Sequence, residues 1–167
     1  MAAPTPKYVI MSMLKKYLLL FIVALTAFAA SAQTPAVRWR TQVRMQNATE
    51  GTVTFRALIA EGWRLYGLTL PEGGPRPTHF DLAESNGIEF TGPVRPERAP
   101  LSVDDPLFDM TLTWWDSNIA FTAPFRVTDP ATAAVKAKIT YMACDGNSCL
   151  PPKTESIAAP VRIPAQR

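Results

Sequence analysis

The stretch Ile119-Ala120-Phe121-Thr122-Ala123-Pro124-Phe125-Arg126-Val127 carries the cleanest period-two pattern in the chain, with every second residue apolar. That period belongs to a half-buried strand, because successive Cβ atoms point to opposite faces of a sheet. Val135, Ala137, Ile139, Tyr141 and Ala143 repeat the pattern and lead straight into Cys144. Toward the N-terminus, Val37, Trp39, Thr41, Val43 and Met45 alternate with Arg38, Arg40, Gln42 and Arg44. Val53, Phe55, Ala57 and Ile59 follow a turn expected around Glu50-Gly51. Trp63–Leu70 and Glu155–Ile163 read as further strands, with weaker candidates at Ile88–Thr91 and Met110–Trp115. Proline- and glycine-rich turns at 73–77, 92–100 and 129–130 separate them. No stretch shows a convincing amphipathic helix, and there is no internal repeat. The pattern predicts an all-β fold, an antiparallel immunoglobulin-like β-sandwich.

Composition narrows the chemistry. The 167 residues are 47% apolar and 19% charged, which suits one globular domain. The 16 prolines argue against an all-helical fold. One histidine and two cysteines are too few for a four-ligand Cys/His zinc site, for haem or for an iron–sulfur cluster. Three of the 17 basic residues, Lys7, Lys15 and Lys16, precede residue 33, leaving 14 against 14 acidic residues. The formal charge of +3 therefore gives no support for nucleic-acid binding.

The first 32 residues read as an address. Lys15-Lys16, an apolar run from Tyr17 to Ala30 and the small-x-small site Ala30-Ser31-Ala32 make a cleavable secretory signal peptide. Met11 or Met13 serves equally well as its start. The run is short for a membrane span, which needs ~20 residues. No cysteine stands near the cleavage point for lipid attachment. The expected mature domain covers residues 33–167, is not inserted in the membrane, and lies in the periplasm, where disulfides persist.

The chemistry concentrates in Tyr141-Met142-Ala143-Cys144-Asp145-Gly146-Asn147-Ser148-Cys149-Leu150-Pro151-Pro152-Lys153. Asp145 to Ser148 are turn residues, and cysteines flanking such a turn can reach the ~5.5–6 Å Cα separation common in disulfides. So small a loop gains little entropic stabilisation from being closed. An exposed bridge of this kind is open to reduction. From the residues alone, a redox-exchanging pair and a structural staple both stand. The spacing is not the C-x-x-C of thioredoxin-like proteins.

Tyr141-x-x-Cys144 followed by Cys149-Leu150-Pro151-Pro152-Lys153-Thr154 resembles the cysteine hairpin of the N-terminal domain of DsbD, the thiol:disulfide interchange protein. Glu61-Gly62-Trp63-Arg64-Leu65-Tyr66, Gly73-Gly74-Pro75-Arg76-Pro77-Thr78 and Asp104-Asp105-Pro106-Leu107-Phe108 resemble, in order, further segments of that domain. The resemblance spans Thr34 to Ile163. It implies a redox module that takes electrons from a thioredoxin-like or DsbD-type membrane reductase and passes them to periplasmic disulfide proteins, without a cofactor. It implies that Cys149 attacks the target and Cys144 resolves. It matches Phe108, or alternatively Leu107, to an aromatic cap over the disulfide, Tyr66 to a tyrosine beside the pair, and Asp104 and Asp105 to cap-loop acids. Pro106 and Leu107 depart from the family's usual run there. The chain carries neither the polytopic membrane domain nor the C-terminal thioredoxin-like domain of the full family protein, so its donor is expected to be a separate protein.

Other residues read more plainly. His79 has no serine or cysteine partner motif for a hydrolase triad and is expected on a polar loop. Trp114-Trp115 puts one indole on each face of a strand, one for the core and one for a partner surface or a covered edge. Asn47-Ala48-Thr49 is a lone glycosylation sequon. Arg38, Arg40 and Arg44 are expected to form a solvated strand face rather than an anion site. Asp104, Asp105 and Asp109 lack the spacing of a calcium loop. The rival to exchange is a non-catalytic immunoglobulin-like binding or adaptor module with a stapled hairpin. A chaperone-like donor of β-edge contacts has no support beyond the strands.

Overall fold

The computed structural model describes residues 35–164; the expected signal peptide lies outside them. Twelve strands and no helix make up the described residues. One sheet is built from β1 (Val37–Met45), β2 (Glu50–Ile59), β9 (Ile119–Val127) and β5 (Ile88–Phe90), in that spatial order, with β6 (Arg95–Pro96) also paired to β9. A second has the order β12 (Lys153–Pro160), β10 (Ala134–Tyr141), β4 (His79–Asp81). A third has the order β11 (Ala143–Cys144), β3 (Arg64–Tyr66), β8 (Met110–Trp115), β7 (Leu101–Asp105). Every pairing is antiparallel.

The alternation sorts residues as the period requires. Val53, Phe55 and Ala57 of β2 and Ile119, Phe121, Ala123 and Phe125 of β9 are buried in one core with Val135, Ala137, Ile139 and Tyr141 of β10. Aromatic rings tie the first two sheets together: Phe80 lies 5.0 Å from Phe121 and 5.3 Å from Phe55, and Trp39 lies 5.7 Å from Tyr141. Such edge-on and tilted contacts suit ring quadrupoles. The result is an immunoglobulin-like sandwich extended by the third sheet.

The structure differs from the sequence reading at several places. The β1–β2 turn lies at Gln46–Thr49, not at Glu50-Gly51, because Asn47 Oδ1 accepts the N–H groups of Thr49 and Glu50 and closes the bend. Gly51 is a strand residue, glycine because the Phe125 ring occupies the space a Cβ would need. The run Trp63–Leu70 keeps only three strand residues, since Gly67 donates to Thr113 O at 2.7 Å and the chain then leaves the sheet. His79 sits in a short strand opposite Thr140 rather than in a loop, with its side chain exposed. β6 and β7 lie where only turns and an acidic segment were read.

Gly51→Ala is expected to destabilise the domain by about 1–3 kcal/mol through overpacking against Phe125. A urea melt monitored by tryptophan fluorescence measures it.

Candidate functional site

The strand leading to the first cysteine is broken, not continuous. β10 ends at Tyr141, Met142 leaves its sheet, and β11 joins a different one by pairing Ala143 with Leu65 and Cys144 with Arg64. The chain turns at Asp145–Ser148 and returns through Cys149. After Pro151-Pro152 it rejoins β10 as β12. The cysteine loop is therefore the tip of the β10–β12 hairpin, transferred to the third sheet.

Cys144 and Cys149 are disulfide-bonded, with Cα atoms 4.1 Å apart. They are closer than the separation expected from the turn alone. Asp145 N–H donates to Ser148 O at 3.1 Å and Leu150 N–H to Ala143 O at 2.9 Å. The cysteines thus form the non-hydrogen-bonded pair between two hydrogen-bonded ones, the register that brings Cα atoms to ~4.5 Å. Asp145 Oδ1 accepts from Asn147 N–H at 2.9 Å and Ser148 N–H at 2.8 Å. These two donors hold its carboxyl below the usual value. Gly146 has φ +92°, a conformation that favours glycine, and its Cα side faces Arg64 Nη2.

Burial separates the two sulfurs. Cys144 is fully buried, in an apolar cluster with Tyr66, Leu112 and Trp114. Cys149 is half-buried at the edge of that cluster. The Tyr66 hydroxyl lies 3.8 Å from Cys149 Sγ. Burial, reinforced by the nearby Asp105 carboxylate, pushes the phenol up to about 12, against a smaller opposing effect of Arg64. The hydroxyl keeps its proton at any neutral pH.

The β7–β8 hairpin supplies the other wall. Its tip is Pro106-Leu107-Phe108-Asp109, with Asp109 at φ +52°. The half-buried Phe108 packs edge-on against Tyr66, centroids 6.3 Å apart, beside the cysteine cluster. Leu107 is 48% exposed. Asp105 is buried; its Oδ1 accepts Leu107 N–H at 2.9 Å, and its Oδ2 lies 3.6 Å from Arg64 Nη1. Asp104 is exposed and accepts the Thr111 hydroxyl at 2.6 Å.

The sequence matches, over residues 30–160, the family described as "Thiol:disulfide interchange protein DsbD, N-terminal". The chain belongs to the DsbD N-terminal family. Its fold is similar to that of the N-terminal periplasmic domain of ScsB from Proteus mirabilis, with a TM-score of 0.54 and 15% identity over 77% of this chain and 48% of that one. The chain thus spans about half the length of that ScsB domain. The Neisseria meningitidis DsbD N-terminal domain in the reduced form gives a TM-score of 0.48 at 16% identity, over 79% of this chain and 93% of that one. No curated protein matches the sequence.

Within this DsbD-family domain, Cys144, Cys149, Tyr66 and Phe108 come together in one cluster, Asp105 lies behind them, and Asp104 and Leu107 face solvent. One residue of the site, Arg64, had no role in the sequence reading. Arg64 pairs across the sheet with Cys144, lies 4.6 Å over the Trp114 ring, approaches Asp105 and sits under Gly146. One guanidinium therefore touches the cap hairpin, the cysteine turn and the apolar floor. Trp114 is that floor, 5% exposed, and not a partner surface. The signal that could have found Arg64 is its place two residues before Tyr66, which alternation puts on the same sheet face. Among the described residues no cluster of His, Cys, Asp or Glu is arranged to hold a metal ion.

The lowered Asp145 carboxyl gives a pH dependence with a definite sign. Its bonds to the Asn147 and Ser148 amides exist above the unfolded value of 3.8 and are lost as pH falls through the lower folded value. Amide shifts of Asn147 and Ser148, followed by NMR from pH 6 to 2, are expected to titrate with a midpoint below 3.8.

Proposed function

We propose that this chain performs extracytoplasmic thiol–disulfide exchange, relaying electrons through Cys144 and Cys149 from a thioredoxin-like or DsbD-type membrane reductase to periplasmic disulfide proteins. Family membership supports exchange chemistry in general. The observation that carries the finer reading is the asymmetry of the pair: Cys149 half-buried beside a protonated tyrosine, Cys144 fully buried behind it. Residues 1–32 are proposed to be the cleaved signal and residues 33–167 the working domain.

In the reductive half, a donor thiolate attacks Cys149 Sγ, the more accessible sulfur, and the bond to Cys144 breaks. Cys144 leaves as a thiolate and takes up a proton. A second donor thiol attacks the donor sulfur of the mixed disulfide and releases Cys149 as a thiolate. The Tyr66 hydroxyl stands within reach to donate a hydrogen bond to that thiolate. In the oxidative half, Cys149 attacks a target disulfide and expels one target thiolate. Cys144, deprotonated, then attacks Cys149 Sγ and expels the other. Two electrons pass, and the pair returns to the disulfide. No cofactor enters the balance.

The surroundings favour a macromolecular partner. The exposed large apolar residues of the described chain are Leu101, Val103, Leu107 and Leu150. Two lie on β7, one at the cap tip and one directly after Cys149. Phe108 and the cap hairpin would shield the pair until a partner displaces them.

Cys144→Ser is expected to leave Cys149 free and to trap partners as mixed disulfides, visible as reductant-sensitive adducts in extracytoplasmic extracts. The wild-type pair should titrate in glutathione buffers at about −200 to −270 mV, the range of exchange proteins. A potential below about −300 mV, typical of structural disulfides, together with no adducts, would leave a stapled binding module instead.

Phe108→Ala is expected to speed reduction of the pair by small thiols about five-fold or more while partner exchange persists, since an open cap removes a barrier of ~1 kcal/mol or more. Stopped-flow reduction by dithiothreitol and by glutathione gives the rates; unchanged rates remove Phe108 from the cap role.

A further inference from the structure

The outer face of the first sheet is an arginine array, and the pairing shows its full extent. Arg38 stands opposite Leu58, Arg40 opposite Arg56, Arg44 opposite Thr52, and Arg126 opposite Glu50. Arg95 stands opposite Thr122, in the row that contains Thr54 and Gln42. All six arginines are exposed. The ion pairs of the described residues are Arg64–Asp105, Arg98–Glu97, Lys138–Glu84 and Lys153–Glu155, and none of the six takes part in one. Three carboxylates share the face: Glu50 and Glu89 flank Arg126 at one end, and Glu97 stands two residues past Arg95, opposite Ala120. Glu97, at the β6 edge, is bonded to Arg98 and to the Ala120 N–H.

The expectation of an ordinary solvated strand face does not account for this. Arg40 and Arg56 are direct cross-strand neighbours, and like charges so placed are destabilising. A solvated face with no other task would alternate sign. Six of the 13 basic residues described stand here beside three of the 14 acidic ones, and the other described residues are acidic by difference.

We propose that this face binds the surface of an anionic phospholipid bilayer. Guanidinium groups match phosphate oxygens in a bidentate fork. The other residues that alternate onto this side of β1, β2 and β9 are Gln42, Thr52, Thr54, Leu58, Thr122, Pro124 and the buried Ala120. No aromatic anchor stands among them, whereas the hot spots of protein–protein interfaces combine Arg with Trp and Tyr in packed pockets. A face of a five-stranded sheet held by charge alone fits a plane of headgroups better than a protein pocket. The contact is peripheral and needs no inserted segment. It is independent of the exchange chemistry, since the array and the cysteine hairpin lie on different sheets.

The test is co-sedimentation of the processed, secreted protein with vesicles of phosphatidylcholine alone or with 30% phosphatidylglycerol. Binding is expected to the anionic vesicles only and to weaken steeply from 50 to 500 mM NaCl. The triple variant Arg38→Gln, Arg40→Gln, Arg56→Gln should bind on the order of 100-fold more weakly, from about five-fold per arginine at an anionic surface. The control Arg76→Gln, Lys136→Gln, Arg162→Gln removes the same charge elsewhere and should bind as the wild type. Arg40→Gln alone should raise the melting temperature by ending the like-charge contact. The proposal is overturned by an absence of anionic-vesicle binding, by equal binding to neutral vesicles, or by equal losses in the two triple variants.

Discussion

A two-residue pairing, Ala143 with Leu65 and Cys144 with Arg64, is the contact on which the site depends. Without it the cysteine loop would be a free hairpin tip at the end of β10. With it, the loop becomes the edge of a second sheet, and Cys144 is pressed into the cluster formed by Tyr66, Leu112 and Trp114. The register also sets the disulfide. It makes Cys144 and Cys149 a non-hydrogen-bonded pair with a backbone bond on either side.

Arg64 extends that constraint sideways. Its charge is half-exposed, stacked on Trp114, near Asp105 and under Gly146. A cation held between an aromatic face and a carboxylate joins two hairpins that share no strand pairing. Asp105 in turn holds the Leu107 amide and so shapes the cap tip. The β7–β8 hairpin and the cysteine turn thus both lie against one side chain.

Much of the fold was legible in alternation. β1, β9 and the weak candidates at β5 and β8 fall where period two puts them, because one face of each is buried and the other is wet. The short strands β4, β6 and β7 were not legible. They have two to five residues, too few for a period to register, and they exist because a neighbouring strand offers unpaired backbone. Gly51 misled for a related reason. Glycine marks turns in general, but here it makes room for Phe125 from the paired strand. At the site, the cysteines and their turn were readable from local chemistry, as Asp145 and Gly146 carry it in themselves. The role of Arg64 was not, since each of its contacts is made to a residue distant in sequence.

The class of fold and the place of the cysteine turn are written in the sequence alone. Alternating hydrophobicity and turn residues are local properties, and a pair of cysteines around a four-residue turn has few geometries open to it. Only the tertiary structure decided which sulfur faces outward, which cap residue packs inward, and how the arginines of three separate strands and an edge segment merge into one face. Those outcomes depend on register between strands far apart in the chain. Register is set by the shared burial of both partners and not by either strand alone.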